Sequence, residues 1–264
     1  MFAGFNLQIS ESDLFDLYFD KGKKVLSEQK KEIEKNLKKY VCDNGSLDGS
    51  LMQQDWFPNI KADIFISHSH KDEELVVALA GWLYEEFKIT SFVDSYIWGY
   101  ANDLLKIVDE AYCVNEKNGL STTYSYEKRN NSTSHVHMML NTALEKMIDR
   151  CECLFFVNTP NSIEVKSTME IGTTLSPWIY SEIVSANIIR HKELSEYRPK
   201  AIHFSKDSIN ETASLQIKYD ISLKDLNKLT DDDLLKWSQS MITSVSYPLD
   251  MLYYQLGILK NPIL

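Results

Sequence analysis

The chain has 264 residues, 38 acidic against 28 basic, and a formal charge of -10. That negative surplus repels phosphate backbones and anionic lipid, which excludes nucleic acid and membrane surfaces as general partners. Four cysteines (Cys42, Cys113, Cys151 and Cys153) are too sparse for a disulfide framework and point to a reducing, cytoplasmic compartment. The first ten residues hold no basic segment followed by an apolar one, and nowhere do about 18 apolar residues run uninterrupted, so neither secretion nor a membrane span is expected.

In chain order, residues 11–41 read as helical. Leu14, Leu17 and Tyr18 form one stripe, followed by Val25, Ile33, Leu37 and Val41 among alternating Lys and Glu, with a break at Gly22. Residues 43–61 are rich in turn formers and read as a linker. Residues 62–67 are a short apolar strand, followed by a polar loop and a helix carrying Leu75, Val76, Leu79, Leu83 and Phe87 on one face. Residues 89–94 are a second strand, and its return to the same sheet implies a right-handed parallel crossover.

Residues 96–133 read as an insertion, with a short helix over 102–111 and then a polar stretch. Ser134 is placed to cap a helix that turns Val136, Leu140, Leu144, Met147 and Ile148 inward. Residues 153–157 form a nearly all-apolar strand, and a loop over 158–176 follows. Ser176-Pro177 then opens a helix with a hydroxyl cap and a proline at its first position. Residues 201–204 are the next strand. In the tail, Thr230 and Asp233 cap one helix, and a second over 248–256 is stopped by Gly257.

Strands alternating with helices predict an α/β fold: a parallel sheet covered on both faces over residues 62–205, with helical additions over 1–61 and 206–264. In such sheets ligands bind beyond the carboxyl ends of the strands. Ser67, His68, Ser69, His70, Lys71, Asp72 and Asp94 gather there, together with the first turns of the Pro177 helix. On that helix Glu182 follows Trp178 by four residues, so an indole and a carboxylate share a face. A carboxylate beside an aromatic wall suits cleavage of a glycosidic bond, because the departing base leaves a sugar with developing positive charge.

Residues 62–72, Ala-Asp-Ile-Phe-Ile-Ser-His-Ser-His-Lys-Asp, resemble the first strand and loop of Toll/interleukin-1-receptor (TIR) domains, and Ser-Phe-Val-Asp at 91–94 resembles their second strand. Trp178-Ile179-Tyr180-Ser181-Glu182 resembles the Trp-x-x-x-Glu of the NAD-consuming TIR enzymes, including those of bacterial Thoeris anti-phage systems. The resemblance implies a flavodoxin-like fold, Glu182 as the catalytic residue, and Ser67, His68, Asp94, Tyr96 and Trp178 as substrate-binding residues. It also implies cleavage of NAD, as substrate and not as cofactor, to an ADP-ribose-derived signal. The acceptor is water, the adenine ring or an external imidazole. Further implications are self-association through TIR contacts and a separate effector protein reached through the product. The insertion at 96–133 and both terminal segments depart from a minimal TIR domain, so loop roles do not transfer.

Two other functions fit the same residues: a TIR scaffold without catalysis, and an enzyme resembling nucleoside deoxyribosyltransferases. Plainer structural roles also exist. Trp178 suits a core position as well as a pocket wall. His68 and His70 lack a third ligand at convincing spacing, and His135 and His137 lie about 200° apart on their helix, so no metal is expected. No glycine-rich phosphate loop and no Ser-His-Asp order stands out.

Overall fold

The computed structural model describes residues 1–9, 12–29, 37–97, 101–118, 121–165, 171–174, 176–197, 219–240 and 247–260. In chain order the elements begin with β1 (Ala3–Gln8), α1 (Phe19–Gln29), α2 (Gly49–Trp56), β2 (Ile64–Ser67), α3 (Glu73–Phe87) and β3 (Ser91–Val93). Next come the one-turn α4 (Asp94–Ile97), α5 (Ala101–Tyr112), a hairpin of β4 (Val114–Asn118) and β5 (Ser121–Tyr124), α6 (Tyr126–Arg150) and β6 (Cys153–Asn158). The chain continues through β7 (Glu164–Val165), β8 (Ile171–Thr174), α7 (Pro177–Ile188), β9 (Tyr219–Ser222), β10 (Asn227–Thr230), α8 (Asp231–Ser240) and α9 (Pro248–Gln255).

Five strands form one parallel sheet in the order β10-β1-β6-β2-β3. Helices flank it, an α/β arrangement compatible with a flavodoxin-like fold. Every residue of β2 and β3 is buried, as expected of parallel strands covered on both faces. Among the described residues no helix is long and apolar enough to cross a membrane.

The two flanking segments, expected as helical additions, each also supply a strand. β1 lies inside the sheet between β6 and β10, and Phe5 and Leu7 are fully buried. β10 closes one edge through backbone pairing to β1, with only Leu229 of its four residues buried. The strand expected over 201–204 lies outside the described residues.

Other local expectations are corrected as well. Gly22 does not break a helix. It sits buried within α1, where a Cβ would lie 1.8 Å from the Val77 carbonyl oxygen, while a Cβ on Gly81 would lie 2.6 Å from the Gly22 nitrogen. Paired glycines thus bring the backbones of α1 and α3 together, and any side chain at either position collides with main chain. The expected linker contains α2, which buries Met52 and Trp56. α6 starts eight residues before Ser134, with Ser125 as its cap, while Ser134 donates back to the Asn130 carbonyl within the helix. A serine can serve either way, and its spacing from the apolar stripe does not decide which. The insertion is thereby occupied by α5, the hairpin and the first turns of α6.

Several termini follow their local chemistry. Ser176 accepts a hydrogen bond from the Ile179 amide, and Pro177 occupies the first turn of α7. Thr230 and Asp233 satisfy each other's backbone amides at the start of α8, and Gly257 takes a left-handed φ of +72° after α9.

The topology fixes where a ligand would sit. From β2 the chain moves outward to β3. From β6, the neighbour of β2 on its other side, it moves the opposite way and ends at β10 beyond β1. The outgoing connections of two adjacent strands therefore diverge, and the carboxyl ends at such a switch point are where open parallel sheets form their ligand crevice.

Candidate functional site

Ser67 is the last residue of β2, paired in register with Phe156 of β6 and fully buried at that crevice. Across from it, α7 turns Ile179, Ile183 and Ala186 into the core, and Glu182 lies on the same inward face with a relative exposure of 2%. The Ser67 hydroxyl donates to Glu182 Oε2 at 2.5 Å. Two residues separated by 115 positions, each singled out from sequence, thus meet across the switch point.

The charge of Glu182 is poorly compensated. Burial pushes its carboxyl well above the ordinary carboxylate range, nearby Asp94 pushes it further, and the Ser67 hydrogen bond pulls the other way. An acid whose proton is held more tightly by burial and a like charge ionises more readily when a cation arrives, because a positive charge nearby favours the carboxylate.

His68 follows Ser67 directly and is buried. Its Nδ1 lies 3.2 Å from the Ile66 carbonyl oxygen and 3.7 Å from Asp94 Oδ1, and its Nε2 lies 2.7 Å from Ser95 Oγ. Both ring nitrogens are therefore engaged by protein groups, although the His70 ring lies only 6.4 Å away. Asp94 and Ser95 open α4 immediately beyond β3, so the carboxyl ends of β2 and β3 are joined through His68.

Asp72 links the third strand to this rim. Its carboxylate accepts from Thr159 Oγ1 at 2.6 Å and from Asn161 Nδ2 at 2.7 Å, tying the loop after β6 to the start of α3. Asn158 at the end of β6 in turn donates to the Asn6 side chain of β1 at 2.9 Å. Four strand ends are thus connected by polar side chains, most of them only partly buried.

The structure therefore brings Glu182, Ser67, His68 and Asp94 together. Trp178 makes a different contact: its ring meets His137 of α6 edge-on, with centroids 5.4 Å apart, and Ser181 one turn along donates to Asn141 of the same helix. Indole and carboxylate share a helix face only loosely, the first turned to α6 and the second to β2. Tyr96 lies in α4, partly buried against the core.

Asp72 was placed at the strand ends from sequence without a role of its own, and Ser95 was not among the residues drawn from sequence. One signal for Glu182 was available there, since a lone acid occupies the apolar phase 179, 182, 183, 186 of a helix. No comparable signal marks Ser95, whose partner His68 lies 27 residues away in sequence.

No protein-family model matches the chain, and neither a curated protein nor a solved structure matches it.

Proposed function

We propose that the chain is a TIR-type enzyme that cleaves the nicotinamide–ribose bond of NAD, with Glu182 as the catalytic carboxylate. The observation that carries the reading is the Glu182–Ser67 contact at the switch point, where, among the described residues, the buried acid has no cationic partner. The substrate supplies the missing positive charge. A pyridinium-ribosyl group entering beside Glu182 and Asp94 favours the ionised carboxylate, so that Glu182 releases its proton to solvent, and the carboxylate is strongest as a stabiliser when the sugar becomes oxocarbenium-like.

Nicotinamide departs with the bonding electron pair as a neutral molecule, and the ribosyl carbon then passes to an acceptor. Because Glu182 is closed to solvent in this structure, the groups covering it move apart for a dinucleotide to enter. A signalling nucleotide used in anti-phage defence is the biological role that accords with the TIR resemblance, and it rests on that analogy alone.

The test is nicotinamide release from NAD by wild type and Glu182→Gln. A loss of about 10²–10³-fold is expected from removing one preorganised electrostatic group. Equal release by both proteins refutes the role of Glu182. Cleavage of deoxynucleosides in place of NAD would instead assign the site to base exchange on nucleosides.

A further inference from the structure

His68 has only one arrangement of its ring hydrogen that satisfies its neighbours. The Ile66 carbonyl oxygen at 3.2 Å from Nδ1 can only accept, so in the neutral ring Nδ1 carries the hydrogen. Nε2 is then a lone pair, and the Ser95 hydroxyl 2.7 Å away donates to it. Asp94 Oδ1, 3.7 Å from Nδ1, is placed to stabilise the imidazolium that forms if Ser95 gives up its proton. Nucleophile, base and orienting groups therefore stand in the relation that activates a serine, with chain order His68, Asp94, Ser95.

The surroundings select the electrophile. Acyl transfer develops negative charge on oxygen, which the nearby Asp94 and Glu182 carboxylates would oppose. A cationic ribosyl carbon, by contrast, is what two carboxylates favour.

We propose that Ser95 is a self-modification site, taking the ADP-ribosyl group when nicotinamide leaves, with His68 as the base. This inference rests on the NAD-cleaving reading. In the step, the ribosyl C1′–N bond breaks with its electron pair going to nicotinamide, a bond forms between C1′ and Ser95 Oγ, and the serine proton passes to His68 Nε2 and then to solvent. A serine alkoxide is a poor leaving group, so the adduct persists and fills the crevice. Each modified molecule is then silent, and the enzyme limits its own output.

The experiment incubates the full chain with NAD and follows nicotinamide together with intact and peptide mass, for wild type, Ser95→Ala, His68→Gln and Glu182→Gln, each checked for a native melting transition. In wild type, one ADP-ribosyl group is expected on the peptide containing Ser95, accumulating with the same rate constant as the slowing of nicotinamide release. In Ser95→Ala the adduct is absent and release does not slow. In His68→Gln the ratio of adduct to released nicotinamide falls at least about tenfold, the low end of what a positioned base contributes.

Nicotinamide release without an adduct on Ser95, or an unchanged ratio in folded His68→Gln, overturns the inference and leaves the NAD-cleaving reading standing. Absence of both nicotinamide and adduct overturns the two together.

Discussion

Asp109 and Glu182 are both buried carboxylates on helices, yet their surroundings are opposite. Asp109 on α5 receives Arg129 Nε at 2.9 Å and the Ser132 hydroxyl at 2.5 Å, both from α6, so its charge is neutralised and both oxygens are satisfied. Among the described residues Glu182 receives one hydroxyl and faces another carboxylate. A charge buried with its counter-ion fastens two helices, whereas a charge buried beside a like charge is kept at a cost to stability. The second condition is what the proposed cation-binding role of Glu182 would require, whereas the first suits an acid that holds two helices together.

The comparison can be broken by experiment. The largest stability effect is expected at Asp109. Asp109→Ala removes two charge-assisted hydrogen bonds, and since Arg129 is half-exposed and can return to water, the loss should be about 1.5–3 kcal/mol, read from urea unfolding. A neutral result would mean that the Arg129 pairing contributes no more than a surface ion pair.

Glu182→Gln should have the opposite sign. The carboxyl titrates above its ordinary range in the fold, so between the unfolded and folded values the native chain holds a proton that the unfolded chain has released. Stability from this group is complete at acid pH and is lost as pH rises through that window. The glutamine variant should therefore match wild type in acid and exceed it at higher pH by about 0.5–2 kcal/mol, the usual scale of a single stabilising substitution. Melting curves at several pH values check this, and a destabilised variant at high pH would count against a poorly compensated charge at Glu182.

Smaller effects should appear as displaced pH–rate profiles. Nicotinamide release by wild type should fall away on the acid side at a pH above the ordinary carboxylate range. Asp94→Asn removes the like charge and should move that limb to lower pH. Ser67→Ala removes the hydrogen bond that favours the carboxylate and should move it to higher pH. Profiles unmoved by both substitutions would show that burial alone controls Glu182.

Much of the central sheet was legible because its signals are local. β2, α3, β3 and β6 announce themselves by short apolar runs and a 3.6-residue stripe, and α7 by a serine cap followed by proline. The capping pair at α8 and the glycine after α9 belong to the same class, since each is a hydrogen bond or a dihedral settled within a few residues. β1 was missed although Phe5 and Leu7 alternate into the core, because a six-residue strand is defined by the backbones on either side of it. β10, Asn-Lys-Leu-Thr, has almost no apolar pattern and exists through its pairing to β1.

The sequence alone therefore determined which segments are strand or helix where a few neighbouring residues settle the matter, and it marked Glu182, Ser67, His68 and Asp94 as residues of interest. Tertiary structure decided that both terminal segments enter the sheet, that Gly22 and Gly81 form a helix crossing, and that Ser95 completes the His68 pair. The physical reason is range. Caps, turns and periodicity act over a single helical turn, while strand order, backbone approach and the proton-bearing nitrogen of an imidazole depend on groups brought together from distant parts of the chain.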